Sequence, residues 1–455
     1  MQKFAFFSEK KLKQNLYYVF LFIAFSIIVF FPTIFGDPFW DDWVFIFKRA
    51  TDLREASSPF IFFQPGSANK TWPVFYAATW LMLKAFKDHY IYYHLVSLTL
   101  HGINGFLCWH LLRKLKIKHG FWLALLYVVH PLHLFTVAWI IQIKTILSLF
   151  FFFISLINLV NYFEKFKNLS LLWAVLFFTL SILTKSTTVT FAACLVLIYP
   201  LLSDKKKYRK FILYFLTPVI ILASISTVRT LWNFNLKEYL AKEETVGNTY
   251  SQMSNIDRLV ISSKNFLRYS SFIVLPTTGN HLFQENTILS YSSFEFFWVI
   301  TGLILFYFLF DYLYRNKLQI EMFGLIFYIV TIIPFCGIVY IPMLAISNFV
   351  PYWLSIPFIG LLPLFSRAVK SKKILVTVVA TFTIVSHIQA YSFIQTEEIF
   401  LDSIQRSPLE KGYQISLVEH YIFTHQCEKA MVAYELYFKE SVPFSDGLLN
   451  KLKRC

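Results

Sequence analysis

Long apolar runs dominate the chain and recur with short polar breaks between them. Most runs are close to the roughly 20 residues that a helix needs to cross a hydrocarbon core of about 30 Å, and the third is short. Because lipid cannot satisfy unpaired backbone groups, runs of this length predict membrane helices. The eleven predicted spans lie near residues 16–35, 90–112, 119–133, 136–161, 169–184, 187–203, 211–229, 294–313, 321–341, 346–365 and 374–393. The fold class predicted from this pattern is all-α, a polytopic membrane helix bundle.

Basic residues gather in the polar breaks and recur at every second connection. The clusters lie at 10–13, 113–118, 165–167, 205–210, 315–317 and 367–373. Lysine and arginine are enriched in short loops on the cytoplasmic side of a membrane. The alternation therefore predicts a multi-pass protein of the cytoplasmic (inner) membrane, with a cytoplasmic amino terminus and an extracytoplasmic carboxyl terminus. Since no small-residue cleavage site follows the first run, we expect an uncleaved span.

Composition agrees with a membrane protein. Of 455 residues, 57% are hydrophobic, 20% are aromatic and 15% are charged, whereas soluble domains carry about 25% charged residues. A net charge of +16 suggests nucleic acid in a soluble protein, but here the basic residues mark topology, so no nucleic-acid partner is expected. The five cysteines show no metal-ligand spacing and no disulfide framework, and a bond between Cys427 and Cys455 is left open.

The breaks divide the chain into a membrane domain, 1–393, and an extracytoplasmic tail, 394–455. Within the membrane domain, residues 36–89 and about 230–293 are too polar to span and are predicted to be outer loops. Long loops of this kind commonly carry function. In the tail, residues 415–438 have apolar positions at helical spacing on two short arms. This pattern predicts a helical hairpin similar to a single tetratricopeptide unit.

The first candidate for chemistry is a pair of carboxylates directly after the first span. Asp41 and Asp42 lie in FWDDW at 39–43, between aromatic side chains at the membrane surface. Desolvation raises the pKa of a carboxyl group in such a place, and this suits a general base. The pair also suits Mg²⁺ or Mn²⁺, but two carboxylates alone do not establish a metal site. Solvated acids in an interfacial aromatic belt are the structural alternative.

Polar side chains inside the second span are another candidate group. His94, Ser97, His101 and Asn104 are spaced by 3, 4 and 3 residues, so they share one helical face. Lipid does not satisfy such a face, which must therefore meet protein or a water-filled cavity. A structural seam of interhelical hydrogen bonds explains the pattern at least as well as catalysis does.

Two histidines and two lysines complete the candidates. His130 and His133 stand in HPLH, where imidazoles suit phosphate binding or proton transfer, or simply an interfacial position. Lys144 lies inside the fourth predicted span, and Lys185 lies at the outer turn after the fifth. An intramembrane lysine costs roughly 2.5–3.5 kcal/mol, so its expected partner is an anionic headgroup or an acid of the first loop. Lys185 equally suits snorkelling. As a set, these residues predict a lipid substrate with a phosphate head.

Several motifs resemble the GT-C glycosyltransferase superfamily, specifically its branch of transmembrane and tetratricopeptide-repeat O-mannosyltransferases and their bacterial relatives. The resemblance covers most of the membrane part. It runs through the acidic loop, YHLVSLTLHGIN (93–104), VVHPLHLFTVAW (128–139), ILTKSTTVT (182–190), FLRYSSFIVLPTTGN (266–280) and IPFIGLL (356–362). The tail, with its predicted hairpin, is similar to a much shortened repeat domain of that branch.

The resemblance implies an enzyme that moves a sugar from a polyprenyl-phosphate donor to a hydroxyl of a protein or glycan at the outer face of the membrane. Asp41 or Asp42 is then the catalytic base. The substrate-binding residues are predicted to be His94, His101, Asn104, His130, His133, Lys144 and Lys185. Where the branch commonly has acids, this chain has Phe135 and Ser186. The alternatives are therefore a catalytically degenerate lipid-glycan binder, flippase or scaffold, and a polysaccharide polymerase.

Overall fold

The structure is a computed structural model and is all-helical over the residues it describes, with no β-strand among them. The described residues are 9–47, 51–64, 72–198, 209, 211–221, 254–276, 293–338, 349–406, 411–438, 452 and 455. The α-helices are α1 (Glu9–Phe30), α2 (Thr51–Glu55), α3 (Pro73–Phe86), α4 (Tyr90–Lys114), α5 (Gly120–Val129), α6 (Leu134–Ala138), α7 (Ile143–Lys165), α8 (Asn168–Thr184), α9 (Thr190–Ile198), α10 (Asn255–Val274), α11 (Ser293–Arg315), α12 (Gln319–Ile332), α13 (Pro357–Ala368), α14 (Lys372–Ala390), α15 (Thr396–Arg406), α16 (Lys411–Phe423) and α17 (Cys427–Phe438).

Four helical stretches are long and apolar enough to cross a membrane, so the chain is a membrane protein. They are Leu12–Phe35, Tyr90–Lys114, Ile140–Lys165 and Lys372–Phe393. A fifth is present if the bent pair Gly120–Val129 and Pro131–Ala138 counts as one span. These stretches coincide with five of the predicted spans.

Eleven spans are not found within the described residues. The helices α8, α12 and α13 are apolar but have only 17, 14 and 12 residues. Several other predicted spans continue into stretches outside the described residues, namely 199–208, 222–253 and 339–348.

The helix α4 packs against α1, α5 and α7, and α7 packs along α8. At the crossing of α1 and α4 a Cβ on Gly102 would lie only 2.5 Å from the Cα of Ile23, so glycine allows the backbones to meet. Ser26 Oγ also donates to the Leu98 carbonyl at 2.8 Å across this crossing. Small residues and interhelical hydrogen bonds are the contacts that hold helices together in lipid.

The helices α12 and α13 cross through Gly324 and Gly360. A Cβ on Gly360 would lie 2.5 Å from the carbonyl oxygen of Gly324. One turn after Gly324 on α12, the Tyr328 hydroxyl and Ser270 Oγ are joined at 2.7 Å, and this bond links α10 to the pair. The three helices α10, α12 and α13 therefore form one packed group.

The predicted outer loop 230–293 contains a long helix, α10. Phe266, Tyr269 and Ile273 are buried on it, while its charged residues stay partly exposed. Because charged and apolar residues share this segment, its mean hydropathy is low although one face is apolar. Residues 230–253 and 277–292 lie outside the described part of the chain.

The predicted third and fourth spans meet in a broken segment, defined here as residues 130–142. The helix α5 ends at Val129, and the axis bends by 46° into Pro131–Ala138. A further 3₁₀ turn, Ile140–Gln142, precedes α7. Proline cannot continue the hydrogen-bond ladder of α5, which explains the break. The helix α5 therefore ends four residues before the predicted end of the third span, and α7 begins at Ile143 instead of near 136.

One end of the bundle, here named the basic end, consists of residues 113–119, 161–167 and 366–373. Ser366 Oγ donates to the Lys118 carbonyl at 2.9 Å, and Lys114 Nζ lies 3.8 Å from Glu164 Oε2. Three of the basic loops predicted to share one side of the membrane thus lie together. The loop 36–47 lies near the start of α4, and the broken segment runs to it from the level of His101, near the middle of α4.

The tail begins with α15 and continues into the stretch predicted to be a helical hairpin. That stretch consists of α16 and α17, joined at 424–426. Cys427, at the start of α17, forms a disulfide with Cys455, so the pairing left open by the sequence is present. An ion pair between Lys429 Nζ and Glu397 Oε2, at 2.9 Å, joins α17 to α15.

Candidate active site

Asp42 anchors the loop that follows α1. Its side chain is fully buried, and each carboxylate oxygen accepts a main-chain N–H. Oδ2 accepts from Phe39 at 3.1 Å within the loop, and Oδ1 accepts from Ile141 at 2.7 Å in the broken segment. Burial raises the pKa of this carboxyl well above its usual value, although the two hydrogen bonds oppose the shift. Asp42 therefore ties two chain segments together.

Aromatic rings hold the same loop in place. The Phe39 ring stacks on Trp139 at 5.5 Å, and Trp139 Nε1 donates to the Phe39 carbonyl at 3.3 Å. Trp40 adopts a left-handed backbone conformation, with φ of 53°, which is rare for a bulky residue. Its ring lies 6.2 Å from Phe400 of α15. The tail thus packs directly on the acidic loop.

The neighbouring acid, Asp41, has different surroundings. Its side chain is partly exposed, and none of the described residues donates a hydrogen bond to it. Burial raises the pKa of its carboxyl, and the positive charge of Lys144 partly lowers it. The charge of Asp41 also acts on Tyr352, and it adds to the effect of burial in raising the pKa of Tyr76. Asp41 is therefore the acid of the pair that is available for chemistry.

The two lysines predicted as site residues lie at the start of α7 and just after α8, and Lys144 lies in the electrostatic field of Asp41. Lys144 is the second residue of α7; it is 8% exposed and its Nζ lies 4.5 Å from the centre of the Trp72 ring. Lys185 follows α8; it is 7% exposed and its Nζ donates to Thr145 Oγ1 at 2.6 Å. Thr145 in turn donates to Gln142 Oε1 at 2.6 Å. Through Gln142 and Thr145, the broken segment therefore orients the Lys185 amine.

Two serines explain why the lysines are neighbours. The hydroxyls of Ser148 on α7 and Ser181 on α8 lie 3.0 Å apart, and each also donates to the other's carbonyl. Ser148 lies one turn after Lys144, and Ser181 lies one turn before Lys185. Residues four apart occupy the same face of a helix, so Lys144 lies on the face of α7 that meets Ser181. Lys185 directly follows α8, and its amine reaches Thr145 of α7.

The balance of charge at this site favours an anion. Among the described residues, no carboxylate lies within the 4.0 Å of an ion pair from Lys144 or Lys185, and Asp42 is already satisfied by main-chain donors. A narrow cavity of about 10 Å³ beside Lys185, Thr187 and Tyr352 has room for a single water molecule. Two amines with one free carboxylate nearby are suited to hold a phosphate group beside a base.

The stripe on α4 is turned into the protein. His94, Ser97, His101 and Asn104 are all buried. His94 Nε2 donates to the Gly36 carbonyl at 3.1 Å, and His101 Nε2 donates to the Val128 carbonyl at 3.0 Å.

Asn104 completes the stripe, because its amide donates to the Ile146 carbonyl of α7 at 2.9 Å. The stripe therefore joins α4 to its neighbours. A substrate-binding role for His94, His101 and Asn104 stays a prediction, and these contacts favour the structural alternative.

The histidines of HPLH are also fully buried. His130 Nε2 lies 2.8 Å from the Ile273 carbonyl, and its Nδ1 accepts from Leu132 N at 3.1 Å, so this imidazole is held neutral with the proton on Nε2. Neither ring nitrogen of His133 has a hydrogen-bond partner among the described residues. Its ring lies 4.7 Å from His101. Because His130 and His133 are both buried, a substrate at the surface does not reach them, and their role in binding substrate stays a prediction.

Metal binding has little support within the described residues, where no three histidine, cysteine or acidic side chains group as a metal site. The structure also brings to the site residues that the sequence did not predict as site residues, namely Trp72, Tyr76, Gln142, Thr145 and Tyr352. Gln142 and Thr145 had a usable signal in the sequence, because they are three residues apart and lie on either side of Lys144. Trp72 and Tyr76 had none, since they reach the site only through the packing of α3.

Comparisons with models of protein families, with curated proteins and with solved structures find no match to this chain.

Proposed function

We propose that this protein is an integral membrane glycosyltransferase that moves a sugar from a polyprenyl-phosphate donor to a hydroxyl of a protein or glycan. The observation that carries the proposal is the placement of both amines at the start of α7, where Lys185 bonds to Thr145 beside Lys144, and Lys144 lies in the electrostatic field of Asp41. A base and two amines are the groups that this reaction needs, because one deprotonates the acceptor and the others stabilise the departing phosphate.

In the proposed reaction, Asp41 takes the proton of the acceptor hydroxyl. The acceptor oxygen then bonds to the anomeric carbon of the sugar while the bond from that carbon to the phosphate oxygen breaks. The electron pair of that bond leaves on the polyprenyl phosphate, whose added charge lies near Lys144 and Lys185. The raised pKa of Asp41 makes it a stronger base than a solvated carboxylate.

The orientation of the chain in the membrane is part of the proposal. The basic end is assigned to the cytoplasm and Asp41 to the outer face, in a bundle that reaches eleven spans with the residues beyond the described part. The disulfide between Cys427 and Cys455 supports an outer position for the tail, because disulfides persist in oxidising compartments.

The test compares the two aspartates after substitution. Asp41→Asn removes the base and is expected to lower transfer by about 10²-fold or more, while the protein still inserts and purifies normally. Asp42→Asn places an amide N–H₂ where two main-chain donors need acceptors, so we expect it to lower the free energy of unfolding by about 1–3 kcal/mol. Asp37→Asn, in the same loop but exposed, is the matched control.

The measurement is release of polyprenyl phosphate from polyprenyl-phosphate hexoses by the purified full chain, together with a thermal melt of each variant. Full transfer by Asp41→Asn contradicts the proposed base. The opposite pattern, in which Asp42→Asn keeps a normal melt but loses transfer, exchanges the roles of the two acids.

A lipid-glycan binder without transferase activity is the second candidate, and it is favoured by Phe135 and Ser186, which stand where the resembled family branch commonly has acids. It predicts that the wild-type chain retains a polyprenyl-phosphate sugar but releases no polyprenyl phosphate. Its retention then depends on Lys185 but not on Asp41, since an amine and not a base holds the phosphate.

A further inference from the structure

A large groove lies at the basic end, outside the site of Asp41. It has a volume of about 1130 Å³ and is bounded by α10, α11, α12 and α13 with the loop 115–119. Its walls are mostly apolar and include Ile273, Phe306, Leu325, Leu361 and Leu364.

The groove has the length of one membrane leaflet. It begins at the loop 115–119, just before α5, and reaches Ile273, whose carbonyl accepts from His130 just after α5. The ten residues of α5 rise about 15 Å at 1.5 Å per residue. This is half of a hydrocarbon core of about 30 Å. A chain that fills the groove from the basic end therefore reaches the middle of the membrane.

Positive charge is concentrated at the mouth of the groove. Lys116 and Lys118 come from one loop, and Arg367 and Lys370 come from the end of α13 and the turn after it. All four side chains are exposed at this end. Glu321 at the start of α12 is the carboxylate among the lining residues, so the permanent positive charges outnumber it.

Part of the apolar wall is exposed at the surface of the bundle. Val274 is 61% exposed and Ile320 is 38% exposed, although both are apolar and line the groove. In a membrane helix bundle such side chains face lipid. Basic pockets between membrane helices are suited to anionic lipid headgroups.

We propose that this groove is a binding site for a phospholipid with an anionic headgroup. The phosphate and headgroup charge lie against Lys116, Lys118, Arg367 and Lys370, and an acyl chain lies along the apolar walls toward Ile273. The site is separate from the proposed donor site, because Asp41 and the two amines lie beyond α5 at the opposite end of the bundle.

The test uses the purified full chain in an equimolar mixture of phosphatidylglycerol and phosphatidylcholine, and native mass spectrometry counts the lipids that stay bound. We expect retained phosphatidylglycerol in excess over phosphatidylcholine. Substitution of Lys116, Lys118, Arg367 and Lys370 together by Gln is expected to weaken this retention by about tenfold or more. Lys165→Gln with Lys167→Gln removes charge at the same end away from the groove, and it is expected to leave retention unchanged.

Photo-crosslinking with a phosphatidylglycerol that carries a diazirine on its acyl chain gives the second measurement. Crosslinks concentrated on α10, α12 and α13 support the proposal even if the quadruple variant proves unstable. Equal retention of the two lipids by the wild-type chain overturns it. Crosslinks spread evenly over the helices also overturn it. So does an absence of crosslinks on α10, α12 and α13, which is the result expected if a partner's membrane helix fills the groove.

Discussion

Asp41 and Asp42 are adjacent in the chain but meet different surroundings. Both carboxylate oxygens of Asp42 accept main-chain N–H groups, one from each of two segments, whereas Asp41 is partly exposed and lies in the electrostatic field of Lys144. The difference arises from the turn at 39–42, in which the Asp42 N–H donates to the Phe39 carbonyl at 3.0 Å. Asp42 therefore holds two segments together, whereas the carboxyl group of Asp41 accepts no hydrogen bond from the described residues.

The pKa of Asp41 leads to a prediction about pH. Burial raises it above 3.8, and the positive charge of Lys144 limits the rise. A general base acts only when ionised, so transfer is expected to fall as the pH falls through this raised pKa, at a higher pH than for a solvated aspartate. Replacing Lys144 by Met removes the opposing charge, and the acidic limb of the residual activity should then move to still higher pH.

The profile of kcat/KM against pH for wild-type protein and Lys144→Met is the measurement. An acidic limb that stays in place in the variant contradicts the coupling between Asp41 and Lys144. Lys84→Met, an exposed lysine on α3, serves as the control.

At the scale of elements, the broken segment 130–142 organises the site. It supplies the N–H of Ile141 to Asp42, the Trp139 ring to the loop after α1 and the Gln142 oxygen to Thr145. A continuous helix would offer no free N–H at Ile141, because each interior N–H is used within the helix. The break after α5 is thus the feature that lets a transmembrane helix bind the acidic loop.

Helix crossings at glycine lead to a prediction about stability. Gly360→Ala places a Cβ 2.5 Å from the Gly324 carbonyl oxygen, a backbone atom that cannot move aside without separating α12 from α13. We expect a loss of about 1–3 kcal/mol, as for other overpacked sites. Gly302→Ala is the control, because the obstacle there is the tip of the flexible Leu267 side chain, also 2.5 Å away.

Thermal melts of the two variants in the same detergent decide the matter. If Gly302→Ala is destabilised as much as Gly360→Ala, then backbone contact at the α12–α13 crossing is not the reason. Equal melts for Gly360→Ala and the wild-type protein would show that the crossing relaxes freely.

At the scale of the molecule, the tail is joined to the site end of the bundle. Trp43 of the acidic loop stacks on Phe423 of α16 at 5.7 Å, and Thr396 Oγ1 donates to the Asp37 carbonyl at 3.3 Å. The carboxyl of Glu397 accepts from Tyr421 and Lys429, and these bonds hold its pKa below the usual value against the effect of burial. The tail therefore packs against the acidic loop.

The disulfide leads to a prediction about the tail. Cys427 and Cys455 are 28 residues apart, so the bond is expected to stabilise the segment by about 3–4 kcal/mol through the entropy of loop closure. Cys455→Ser should therefore increase proteolysis of α17 while α1 to α8 stay protected. Cys194→Ser, at a free buried cysteine, is the control.

The same bond reports orientation. In intact cells, a membrane-impermeant maleimide should label Cys427 and Cys455 only after mild reduction, because the proposed topology places them outside. Labelling that requires permeabilised cells would contradict the orientation and leave the packing of the tail unchanged.

The sequence by itself determined that this is a helical membrane protein and where its main apolar helices lie. The spacing and length of the apolar runs are local properties of the sequence. Because unpaired backbone groups are costly in lipid, each run is expected to form a helix. It also marked Asp41, Lys144 and Lys185, because a charge inside or beside an apolar run is costly and therefore conspicuous.

Only the tertiary structure decided which acid is free, because the difference between Asp41 and Asp42 depends on a main-chain donor from Ile141, distant along the chain. It also decided that the imidazoles of His94, His101 and His130 turn to carbonyls in the core. Hydrogen-bond partners between helices are set by how the helices cross, and spacing along one helix shows only which residues share a face.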